Sequence, residues 1–98
     1  MAADHYCADS ENGDHIDNPS EDALFILISD LNGSDNTFAV IQPDEDDPAW
    51  FASVGLLNEG GYEIVRHDTR TREHNVTVET SIDQIAGDLT TWLATRAS

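Results

Sequence analysis

Twenty acids against four arginines and no lysine give this 98-residue chain a formal charge of −16, a surface that repels nucleic acid and anionic membranes and attracts basic partners. The length suits one domain with one modest core, and no apolar run reaches membrane-spanning length. A single cysteine excludes an internal disulfide, and the acidic start of the chain is unlike a secretory leader, so a cytoplasmic location is expected.

Residues 1–17 carry no apolar periodicity, and their composition predicts a flexible acidic arm ahead of an α+β domain over 18–98. His5, Cys7, Asp9 and His15 are metal-competent types in this arm, but their spacing matches no zinc or calcium pattern, so no metal is expected.

Asn18-Pro19-Ser20-Glu21 reads as a helix start, with Asn18 as cap and Glu21 completing a capping box. Leu24, Leu27, Ile28 and Leu31 follow on one face, and Asn32-Gly33 supplies the stop. Phe25 and Ile26 lie off that stripe.

Four short strands come next: Thr37–Gln42, Ala49–Val54, Tyr62–His67 and His74–Glu79. Pro43 to Pro48, Gly60-Gly61 and the polar stretch from Asp68 to Glu73 separate them. Alternation predicts Phe38, Val40, Tyr62, Ile64, Val76 and Val78 facing inward, with Glu63, His67, Thr77 and Glu79 outward. Trp50 and Phe51 are adjacent, so one ring turns inward and the other stays on the outer face or edge. Leu56 and Leu57 sit in a glycine-flanked loop.

The last helix has Ser81 and Gln84 as a capping box and Ile82, Ile85, Ala86, Leu89, Trp92 and Leu93 as its apolar stripe. The expected fold is therefore α+β: a four-stranded antiparallel meander with an N-terminal and a C-terminal helix packed on one face.

No catalytic constellation emerges. No serine lies in a nucleophile elbow, no glycine-rich loop opens a helix, and Cys7 falls in the expected arm. His67 and His74 bracket a hairpin without a third ligand, and Asp44 to Asp47 lack the spacing of a calcium loop. Arg66, Arg70 and Arg72 crowd one hairpin, where they either balance neighbouring acids or orient a partner. No catalytic residue, cofactor or metal is expected.

Asn18-Pro19-Ser20-Glu21-Asp22, Asn36-Thr37-Phe38-Ala39-Val40, Gly60-Gly61-Tyr62-Glu63-Ile64-Val65 and Ser81-Ile82-Asp83-Gln84-Ile85 together resemble the small bacterial immunity proteins paired with polymorphic toxins, deaminase-type toxins above all. The resemblance spans about residues 18–95, by element order. It implies a non-enzymatic antitoxin that binds a cognate toxin with a basic active cleft and occludes it, without contacting nucleic acid or membrane. An acidic nucleic-acid mimic or adaptor without a toxin partner is the alternative, and plain adaptation to high salt a third. The expected partner-binding residues are Asp44, Glu45, Asp46 and Asp47, one ring of the Trp50–Phe51 pair, and the Leu56–Leu57 loop, as an aromatic anchor ringed by charge.

Overall fold

Eight elements account for residues 6–96, which the computed structural model describes. They are β1 (Tyr6–Ser10), β2 (His15–Asp17), α1 (Glu21–Ser29), β3 (Phe38–Pro43), β4 (Trp50–Leu56), β5 (Tyr62–Asp68), β6 (Glu73–Glu79) and α2 (Ile82–Arg96). The strands form one antiparallel sheet in the order β2-β1-β3-β4-β5-β6. The α+β class and the β3–β6 meander are as expected. The sheet has six strands rather than four, and a hairpin precedes the first helix.

That hairpin is the expected arm. Residues 1–5, His5 included, lie outside the described residues, but Tyr6 to Asp17 fold as β1 and β2, with β1 inserted between β2 and β3. Gly13, with φ of 97°, turns the chain, and Ser10 N–H donates to the Asp14 carbonyl at 2.9 Å. Ala8 is wholly buried and pairs with Ile16 on one side and Ile41 on the other.

The cap of α1 lies two residues beyond the expected one. Ser20 Oγ accepts from the Ala23 N–H at 3.1 Å. Asn18 instead adopts a left-handed φ of 46° and its side chain accepts from the Tyr6 N–H, tying the helix entry to β1. At α2 the expected cap holds, with Ser81 Oγ accepting from the Gln84 N–H at 3.2 Å. Among the described residues no helix is long and apolar enough to cross a membrane.

Both helices share one core with a single sheet face. Leu24, Leu27 and Ile28 of α1 and Ile85, Ala86, Leu89 and Leu93 of α2 meet Ala8, Ala39, Ile41, Trp50, Ala52, Val54 and Ile64. The register then fixes every other side chain. Val54 pairs with Ala39 and Ile64, and Ile64 with Thr77, so Thr77 faces the helices and its neighbours Val76 and Val78 face away. By the same logic Ala39 and Ile41 point inward and Phe38 and Val40 outward. The expected faces of β3 and β6 are thus reversed, because a one-residue change of phase moves every side chain to the other side. Tyr62 and Ile64 face inward, and Glu63 and His67 outward, as expected.

A charged corner closes one end of the core. The Asp68 carboxylate is 1% exposed and takes both the Nε and NH2 of Arg70, at 3.1 and 3.0 Å, plus the Arg70 backbone N–H. Arg96 Nε lies 3.2 Å from the same carboxylate as an ion pair off the hydrogen-bond direction, and its NH2 reaches Glu73. Trp92 is only partly buried, not fully in the core as its stripe position predicts. Its indole N–H donates to Glu73 at 3.1 Å while the Arg96 guanidinium lies 3.7 Å over its ring. Arg70 is therefore engaged in internal charge balance.

The Arg70 hydrogen bonds, ahead of any other influence, hold the Asp68 carboxyl below its usual range. A depressed folded pKa stabilises above the unfolded value, about 3.9, and is lost as pH falls through the folded one. The stability difference between wild type and Asp68→Asn should accordingly be flat near neutrality and narrow only below about pH 4–5. Denaturant unfolding at a series of pH values measures it. A gap that narrows between pH 8 and 6 would contradict this assignment.

Candidate functional site: the open face of the sheet

With one sheet face under the helices, the other is open, and alternation determines what it presents. One register row crosses all six strands: His15, Asp9, Val40, Ser53, Val65, Val76. A second runs Phe38, Gly55, Glu63, Val78, and a third links Phe51, His67 and His74. The face is therefore ionic at β1–β2 and largely apolar from β3 to β6, interrupted there by Glu63 and the His67–His74 pair.

The apolar part is unusually bare for a sheet whose other side is covered, where polar residues are the norm. Phe38, Val76 and Val78 are 42%, 53% and 64% exposed, and Val40, Phe51 and Val65 are half-buried. Ser53 and Gly55 are the small residues between them, and a Cβ at Gly55 would meet nothing within 4 Å. Along β4 these small residues lie between Phe38 and Val40 of β3 and Glu63 and Val65 of β5, with Val76 and Val78 one strand further out. Phe51 stacks on His67 with ring centroids 5.2 Å apart, and the Nδ1 atoms of His67 and His74 are 3.1 Å apart. One of those two nitrogens donates and the other accepts.

At the other side of the face, β1 and β2 bring four polar side chains together. Cys7 opposes Asp17, and Asp9 opposes His15. The Cys7 thiol is 3.6 Å from Asp9 Oδ2, and Asp9 Oδ1 meets His15 Nδ1, whose Nε2 lies 2.9 Å from Asp17. Burial first, then the charge and hydrogen bond of Asp9, push the thiol up to about 11. Hydrogen bonds that the ring donates to Asp9 and then to Asp17 raise the imidazole above its ordinary range.

The expected contact residues divide. Asp44, Glu45, Asp46 and Asp47 form an exposed turn at the end of the sheet where Phe51 begins the open face. Trp50 is 2% exposed, so it belongs to the core and Phe51 is the outward ring. Leu56 packs against the core, and with Leu57 it lies at the far end of β4, about 20 Å along the strand from that turn. The acidic turn and Phe51 share one end of the sheet, whereas Leu56 turns to the helix-covered side with Tyr62. Phe38, Val76 and Val78 complete the surface. Their strands were legible, but the phase was not. No protein family, curated protein or solved structure matches the chain.

Proposed function

We propose that this chain is a non-catalytic binding protein whose open sheet face takes a basic protein partner. A toxin acting on nucleic acid is the partner its charge suits best. The observation that carries the reading is the outward turn of Val76 and Val78 on β6, on the same open sheet face as Val65, Phe51 and Phe38, in a chain of charge −16. Contiguous exposed apolar surface rimmed by charge is the composition of an interaction site. β6 is also a seven-residue edge strand of mostly exposed residues, a form natural sheets normally shorten or protect with Lys or Pro. Two copies pairing there would bring Glu73 and Glu79 together across the two-fold, which like-charge repulsion opposes. A cationic strand meets no such penalty. A toxin whose cleft binds nucleic acid carries the complementary charge.

Titration calorimetry and stopped-flow binding against the product of the neighbouring gene test the reading. The double variant Val76→Asp/Val78→Asp should weaken the complex about thirtyfold or more, the loss of a hot-spot contact of about 2 kcal/mol. Neutralising Asp44, Glu45, Asp46 and Asp47 together should slow association and flatten its salt dependence. Ile26→Asp, at a 60% exposed position on α1, should leave affinity unchanged. Absence of a complex, or loss with Ile26→Asp alone, would refute the assignment of this face.

A further inference from the structure

We propose that Cys7, Asp9 and His15 bind a divalent transition-metal ion of the zinc class, with Asp17 holding the imidazole in orientation. The site follows from the strand repeat. Cys7-Ala8-Asp9 and His15-Ile16-Asp17 each set two polar residues two positions apart, so all four share one side of the β1–β2 hairpin. Antiparallel pairing then puts Cys7 opposite Asp17 and Asp9 opposite His15.

One donor atom from each of Cys7, Asp9 and His15 lies within 4.8 Å of the others. Ligands on a tetrahedron with bonds of about 2.0–2.3 Å are about 3.3–3.8 Å apart, so small side-chain rotations suffice. The Cys7 sulfur is already 3.6 Å from Asp9 Oδ2.

Donor chemistry selects the ion. Sulfur, imidazole nitrogen and carboxylate oxygen suit Zn and Co, whereas Ca and Mg take oxygen alone. A ligating histidine usually gives its second ring nitrogen to a carboxylate, which fixes the tautomer. Asp17 stands in that relation to His15 Nε2 at 2.9 Å, leaving Nδ1 toward Asp9 and the thiol. The Asp9 and His15 side chains are 48% and 50% exposed, so an ion can enter from solvent and keep water in a fourth position. Binding releases the thiol proton to solvent and leaves the sulfur as thiolate. The bound ion would join β1 to the three-residue edge strand β2, whose own pairing is short.

Cobalt titration of the reduced protein is the test. One equivalent of Co2+ should produce a thiolate-to-cobalt charge-transfer band and intense tetrahedral visible bands, both bleached by Zn2+. Cys7→Ser should abolish the charge-transfer band, and His15→Gln should weaken binding at least tenfold. Asp17→Asn should keep the band while weakening binding about 10–100-fold, as expected for a residue that orients a ligand. His67→Gln/His74→Gln should change nothing, and Zn2+ should raise the melting temperature of wild type but not of Cys7→Ser. A missing band, a band that survives Cys7→Ser, or binding lost with the His67/His74 variant would overturn the proposal.

Discussion

Asp68→Ala should destabilise the protein by about 3–5 kcal/mol, the cost of stripping one partner from a buried charge pair. The carboxylate is 1% exposed and faces two guanidiniums. Removing it leaves Arg96, whose side chain is 11% exposed, beside a cavity and with only Glu73 as counter-ion. Arg70→Ala should cost much less, because that side chain is 43% exposed and water can replace it. Urea unfolding with an unchanged slope measures both. Equal and small losses would mean that the corner contributes little.

Trp50→Ala should cost about as much, 3–5 kcal/mol by the usual range for a buried large aromatic, and for a different reason. The indole is 2% exposed and packs edge-on against Tyr6 at 6.0 Å and Trp92 at 5.7 Å. Its loss opens a cavity that three elements line and none can fill alone. Trp92→Ala should cost less, since Trp92 is only partly buried and the Arg96 guanidinium lies over its ring. If the two substitutions prove equal by denaturant midpoint, the centre of the core lies nearer α2 than the burial indicates.

Strong local signals made the meander and the last helix legible. β-branched and aromatic runs bounded by Pro, Asp and Gly named β3 to β6, and Ser81 named the start of α2. β1 was hidden because, beyond Tyr6, its inward residues are small. Ala8 and Ser10 face the core while Cys7 and Asp9 face out, so its alternation carries almost no hydrophobic contrast. The same hairpin hid the Cys7–His15 cluster, whose ligand spacing makes sense only once both segments are strands. On β3 and β6 side-chain size points the wrong way, since the larger Phe38, Val40, Val76 and Val78 are the residues that turn outward. Pairing overrides that preference. Val54 and Ile64 lock the register from the middle, and the helices do not reach far enough to cover Asn75 or Thr77 at the edge. Trp50 and Phe51 were correctly split, since neighbours on a strand must diverge.

The insertion of β1 between β2 and β3 gives the sheet a temporal order. From Phe38 to Glu79 each strand pairs with its sequence neighbour, so closing that part requires only short loops. Ala8 must find Ile41 across β2, α1 and the loop beyond, an entropic search that the later hairpins avoid. A chain synthesised from its N-terminus therefore exposes β1 and β2 before their docking edge exists. Docking of the hairpin thus carries the longest chain closure in the sheet, and once made it is held by Ala8 in the core and by Tyr6 against Trp50.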